Sequence, residues 1–199
     1  MPNATQDPAQ DSPAIRWYRD HLQLLDQRAL PHQIEWLQLV TADQVAGAIP
    51  DMVVRGAPAI GIAAAYGVAL AARELGERAD ATTLQPAFAT LAASRPTAVN
   101  LFWALERMQM LAAQSSGLAL VDALQREAEH IHLSDRDMNL QLAAHGIALL
   151  PPGKAVYTHC NTGALATGGH GTALGIIRSA WSSGIITNVY AGETRPWMQ

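Results

Sequence analysis

The stretch "KAVYTHCNTGALATGGHGTALGIIRSAWSSGIITNVYA", residues 154–191, decides the fold. "KAVYTH" is a short apolar run with β-branched and aromatic residues, "GTALGIIRSAWSSG" carries a helical period, and "IITNVYA" returns to a strand pattern. A strand, a helical crossover and a second strand spell a parallel βαβ unit. Two parallel strands make an unfinished sheet, because such sheets are normally buried on both faces by several crossovers. The expectation is therefore a fragment, or an α/β domain completed by another chain.

Upstream of Pro151 the pattern is different. Residues 1–13 hold Pro2, Pro8 and Pro13 with no apolar period and read as a disordered leader. From Ile15 to about Leu39, "IRWY", "LQLLD" and "IEWLQLV" predict two or three strands of a small antiparallel layer. Thr41 is a suitable N-cap for a short helix over "ADQVAGAI" that stops near Pro50. A small-residue helix begins near Pro58. Its interior Gly61 and Gly67 each cost about 1 kcal/mol relative to alanine, which implies that another element approaches its backbone closely. "LQPAFATLAAS" and "RPTAVNLFWALERMQMLAA" are helical, the second with Leu101, Leu105, Met108 and Ala112 on one stripe and Thr97 as its cap. "ALVDALQREAEHIHLSDRDMNLQLAAHGIALL" is one long helix or two, closed by Gly146 or by "PPG" at 151–153. The fold class is α/β: a mainly helical N-terminal domain with a small β element over 14–150, then an incomplete parallel βαβ domain from 151 to 199.

Composition narrows the function classes. The 199 residues are 49% hydrophobic and 15% charged, as in a globular protein. Thirteen basic against seventeen acidic side chains give a net charge of -4 with no long basic run, which argues against nucleic acid as a partner. A single cysteine excludes an internal disulfide framework, and the polar start "MPNATQDPAQDSPA" is unlike a signal peptide, so the cytoplasm is the expected compartment. The apolar run "APAIGIAAAYGVALAA" at 57–72 is shorter than the roughly 18–20 residues of a membrane span and reads as a buried helix, with no membrane association expected.

That one cysteine, Cys160, stands at the C-terminal end of the first parallel strand, the rim where open α/β sheets hold their ligands. The glycines after it offer backbone N–H groups, and the next helix, starting near Gly171, points its positive end at the same rim. An anion such as a phosphate or a developing oxyanion suits that place, and Cys160 is a candidate acid/base or nucleophile. The alternative is a buried cysteine beside a tight turn. A zinc site from His159, Cys160 and His170 fits less well, since adjacent ligands without a second cysteine do not match a closed site. His130 and His132, two apart on a helix, point to different faces and read as surface or cap residues. A second candidate is "VVRGAPAIG", 53–61, where Arg55 and the free N–H groups of a helix start converge, against the alternative of a local cap or ion pair. Arg95 has a similar layout ahead of "PTAVN". Two function classes fit: an enzyme acting on a small phosphorylated metabolite, and a non-catalytic ligand-binding or regulatory subunit.

"DMVVRGAPAIGIAAAYGVAL", "RPTAVNLFWALERM", "THCNTGALATGGHGTALGIIR" and "VYAGETRP" together resemble the S-methyl-5-thioribose-1-phosphate isomerase family of methionine salvage, from about Ile15 to Gln199. The wider superfamily includes ribose-1,5-bisphosphate isomerases and regulatory subunits of the eukaryotic initiation-factor exchange factor. The resemblance implies a helical N-terminal domain, a Rossmann-like domain, a homodimer and a reaction without metal or organic cofactor. That reaction turns 5-methylthioribose 1-phosphate into 5-methylthioribulose 1-phosphate. It further implies Cys160 as the catalytic acid/base and Arg55, Gly56, Ala57, Arg95 and Gln199 as substrate contacts. The family also uses an aspartate downstream of "ETRP", which does not occur in this sequence. Further departures are Gly169-His170, where alanine-tyrosine is common, and Gly192, where an acidic residue usually stands. The chain is thus expected to be an N-terminal portion of such an isomerase, with weak or absent turnover and dependence on a partner chain.

Overall fold

A computed structural model describes residues 13–194. The leader read at 1–13, apart from Pro13, and Gln199 lie outside the described residues. The architecture is mixed α/β. β1 (Ile15–Tyr18), β2 (His21–Leu25) and β3 (Trp36–Leu39) form an antiparallel sheet in that order, with Trp17 opposite Leu22 and Leu24 opposite Leu37. Alternation sends Ile15, Trp17, Leu22 and Leu24 to the buried face. The helices are α1 (Ala42–Ala48), α2 (Ala57–Leu75), α3 (Gln85–Ser94), α4 (Val99–Ala112) and α5 (Gly117–Leu149). Thr41 caps α1 in a reciprocal capping box with Gln44, as its sequence implies.

α2 is the centre around which the other helices pack. Every residue from Ala59 to Ala72 is buried. Its glycines mark the close approaches expected of them. A Cβ on Gly61 would lie 2.7 Å from the Asn100 carbonyl oxygen of α4, and one on Gly67 would lie 3.0 Å from a Leu91 methyl of α3. Helical structure continues through a 3-10 turn to Arg78, so 57–78 is long and apolar enough to cross a membrane by length and composition. This corrects the reading of that segment as too short. Most of its apolar window, 72%, is buried inside the protein, which makes it a core helix. The stripe of Leu101, Leu105, Met108 and Ala112 is buried as the period implies.

One boundary differs from expectation, and at a second the structure selects between the alternatives. α4 begins after Ala98 with no side-chain cap, so Thr97 does not cap it. α5 is one helix that runs through Gly146 and ends before Pro151. Gly146 serves packing rather than termination, since a Cβ there would lie 2.7 Å from Ile176.

After α5 come β4 (Lys154–Thr158), α6 (Ala173–Ser182) and β5 (Ile186–Ala191). β4 and β5 pair in parallel, with Val156 opposite Val189 and Thr158 opposite Ala191. The βαβ unit read from the sequence is present. Its core is small: Ile177, Ala180 and Ile186 are buried, with Ile147 and Leu150 at the end of α5 packed against them.

Candidate functional site

The chain leaves the sheet at His159 and turns sharply. Cys160 has φ +72°, a left-handed conformation uncommon for a residue with a side chain. It is exposed, which removes the buried-cysteine alternative. It lines a cavity of about 220 Å³ with His159, Asn161, Leu165, Leu174 and Gly192, at the C-terminal ends of the two parallel strands. Gly192 N–H donates to the Thr158 carbonyl at 2.9 Å and closes that rim. The absence of a side chain at Gly192 has a use here, because the position its Cβ would take is occupied by the His159 ring and lies 2.7 Å from the Tyr157 hydroxyl.

The glycine-rich segment folds back on itself. Gly163 pairs with Gly171 in an isolated antiparallel bridge, and the Thr162 carbonyl accepts from Thr172 N–H (3.0 Å) and Leu174 N–H (3.3 Å). α6 therefore starts at Ala173 rather than near Gly171, and part of its N-terminal donor capacity is spent inside the loop. His170 turns away toward α6, with Nε2 3.1 Å from Ser179 Oγ. Among the described residues no three His, Cys, Asp or Glu side chains stand together as a metal ion requires, so the zinc reading of His159, Cys160 and His170 finds no support.

The fold joins the two sequence motifs. Gly56 is the N-cap of α2 and Ala57 its first residue. A Cβ on Gly56 would lie 2.5 Å from both Cα and O of Ala166, in the 3-10 turn Ala164–Ala166 of the Cys160 loop, and Gly56 has φ +101°. Arg55, next to this contact, is buried, and burial lowers its pKa without discharging a guanidinium. Its Nη2 approaches the Gln27 carbonyl at 3.5 Å. Gln27, also buried, donates from Nε2 to the Leu165 carbonyl at 2.9 Å and from its backbone to the Val53 carbonyl at 3.1 Å. One glutamine thus ties the β2 exit, the "VVRG" segment and the Cys160 loop together. Its own turn is set by Arg28, which grips Asp26 at 2.7 and 2.8 Å and holds that carboxyl below its ordinary pKa. Sequence reasoning missed Gln27; a single glutamine in a loop carries no periodic or motif signal.

Arg95 is exposed at the end of α3, and neither it nor Arg55 lines the cavity at Cys160. Arg95 stands ahead of α4, whose first turn packs on α2 at Gly61. His132 contradicts its reading as a surface or cap residue. It is 1% exposed, with Nδ1 3.0 Å from the Tyr66 hydroxyl and Nε2 3.0 Å from the Gly168 carbonyl. His130 stays near the surface beside Ser134.

A sequence profile described as the initiation factor 2 subunit family matches residues 53–199. The chain belongs to that family. Within the initiation factor 2 subunit family it is 62% identical over 191 residues to the methylthioribose-1-phosphate isomerase of Alcanivorax borkumensis, covering 96% of this chain and 55% of that protein. It is 56% identical over 193 residues to the isomerase of the same name from Azotobacter vinelandii, covering 94% and 54%. The crystal structure of 5-methylthioribose 1-phosphate isomerase from Pyrococcus horikoshii OT3 superposes with a TM-score of 0.84 at 32% identity, over 98% of this chain and 57% of that one. Translation initiation factor eIF-2B subunit delta from A. fulgidus superposes with a TM-score of 0.76 at 43% identity, over 94% and 56%. The chain spans about half the length of the curated relatives it matches.

Proposed function

We propose that this chain carries the Cys160 side of a methylthioribose-1-phosphate isomerase site, converting 5-methylthioribose 1-phosphate to 5-methylthioribulose 1-phosphate. The observation that carries the reading is the contact of Gly56 with Ala166, which brings the Arg55 motif against the Cys160 loop in a chain so similar to isomerases of that name. Phosphate on the anomeric oxygen prevents the ring from opening as a free hemiacetal does, so opening needs an acid near the ring oxygen. Hydrogen then moves between C1 and C2. Cys160 is the acid/base of these steps, a role worth roughly 10²- to 10⁴-fold in rate. Arg55, the backbone of Gly56 and Ala57, Arg95 and Gln199 hold the phosphate and sugar. The chemistry calls for no metal or organic cofactor. In the same reading residues 14–150 are a helical domain, 151–199 begin a Rossmann-like catalytic domain, and the functional unit is a cytoplasmic homodimer.

The likeness to the eIF-2B delta subunit, 43% identical, favours a second reading, a non-catalytic sugar-phosphate-binding or regulatory subunit. Ribose 1,5-bisphosphate is the alternative substrate. The test is ketose formation from 5-methylthioribose 1-phosphate by the purified chain and its Cys160→Ala variant, with protection of Cys160 from alkylation measured in parallel. Turnover lost in the variant supports the isomerase. Protection without turnover assigns the binding subunit, and preferential protection by ribose 1,5-bisphosphate changes the substrate. Neither turnover nor protection overturns the proposal.

A further inference from the structure

The Cys160 loop is strapped to α5 at one residue. Gly168 N–H donates to Asp135 Oδ2 at 2.7 Å, and the Gly168 carbonyl faces His132 Nε2 at 3.0 Å. His132 and Asp135 are three apart on α5, so one helix face presents both. A carbonyl only accepts, so Nε2 carries a proton; in the neutral ring Nδ1 then accepts from the Tyr66 hydroxyl, 3.0 Å away. Tyr66 is itself buried in α2 and stacked on Trp17 of β1, ring centroids 4.7 Å apart. Asn139, one turn on, donates to the same Asp135 oxygen at 3.1 Å.

Glycine is required at 168 by this closeness. A Cβ there would lie 2.7 Å from the His132 carbonyl oxygen and 2.9 Å from its ring. Burial raises the pKa of Asp135, a cost opposed by the Gly168 and Asn139 bonds. A structural glycine–helix contact needs no ionisable group for this. The strap reaches Cys160 through the loop's own bonds: Thr167 Oγ1 donates to the Gly169 carbonyl at 3.0 Å, and the Gly163–Gly171 bridge and the Thr172 to Thr162 bond lead to within two residues of the thiol.

We propose that His132 and Asp135 are positioning residues, which hold the Cys160 loop through Gly168 in the geometry that receives the sugar phosphate. This rests on the reading of Cys160 as the reacting group. Neither side chain lines the cavity at Cys160, so both act through the loop backbone.

Because Cys160 is the only cysteine in the chain, its alkylation reports on the loop without any turnover assay. The experiment measures iodoacetamide alkylation of Cys160, with and without 5-methylthioribose 1-phosphate, and amide hydrogen exchange over residues 162–172. It compares the parent with His132→Phe, His132→Gln, Asp135→Ala and Asp135→Asn. Glutamine keeps an N–H donor near the Nε2 position and asparagine keeps the acceptor oxygen. Loss of a buried bond to Gly168 is expected to speed exchange over 162–172 about tenfold and to change the alkylation rate several-fold, with exchange over 85–94 unchanged. In His132→Phe and Asp135→Ala the sugar-phosphate concentration for half-protection rises about tenfold, and Gln and Asn restore most of each effect. Unchanged exchange and alkylation in His132→Phe and Asp135→Ala overturn the proposal. So does acceleration that spreads equally through 85–94, or that Gln and Asn fail to restore. A parent that shows no protection by the sugar phosphate refutes the substrate reading instead, and the ligand-free alkylation and exchange still decide the positioning role.

Discussion

The helical region and the β4–α6–β5 unit handle their apolar residues in opposite ways. Around α2 a single cluster extends from Ala14 to Ile131 and takes residues from every strand and α-helix from β1 to α5. The buried apolar cluster of the later unit is Ile177, Ala180 and Ile186 alone, while Tyr157 and Tyr190, paired across its two strands, stay 68% and 60% exposed. Helices bury one stripe against each other and can close a core among themselves. A parallel sheet has two faces to cover, and among the described residues α6 and the end of α5 serve one. The unit therefore draws its order from docking: α5 against α6, Gly56 against Ala166, Gln27 on Leu165, and the Gly168 strap.

Five substitutions test that contrast. Leu101→Ala, inside the closed core, is expected to cost about 2–5 kcal/mol in urea unfolding, and Ile177→Ala less, toward the lower end, because its surroundings are open and can collapse. Equal losses would break the comparison. Gly56→Ala forces a side chain into a positive-φ position against Ala166 and is expected to cost about 1–3 kcal/mol, with hydrogen exchange over 163–171 accelerated more than exchange within α2. An unaffected loop would mean that the α2 end does not hold it.

Asp26→Asn removes the clamp behind Gln27 and is expected to cost about 1 kcal/mol near neutral pH, a modest value because Arg28 is half-exposed and screened. Arg28 lowers the Asp26 pKa below its ordinary 3.8, so this stability is present above that value and is lost as pH falls through the lowered one. Urea midpoints of parent and variant should converge in acid, and a difference that persists there would assign the effect to packing. The smallest change is expected for Tyr190→Thr, within about 0.5 kcal/mol, since the ring is largely in solvent. A clear loss of stability, read together with the sedimentation of the parent, would show that another chain covers this face.

The same division governs how much could be read beforehand. α2 was legible because its small residues run together and its glycines announce close neighbours; the buried stripe of α4 followed from a 3.6-residue period. The capping box at Thr41 and Gln44 is a local signal and reads correctly. Thr97 misled because a hydroxyl ahead of a helix is only a candidate cap; α4 starts at Val99, one residue later than a Thr97 cap requires. His132 misled for a deeper reason: spacing places it on a helix face but does not say what that face meets.

By itself, the sequence determined the strand–loop–helix–strand order of 154–191, the placement of Cys160 at the strand end, and the core helix over 57–72, all of which depend on neighbours a few residues apart. Only the tertiary structure decided that Gln27 holds Leu165, 138 positions away, and that His132 and Asp135 hold Gly168, 36 and 33 positions away. Hydrogen bonds of that kind form between groups that meet only once the core around α2 has closed, and no local period records them.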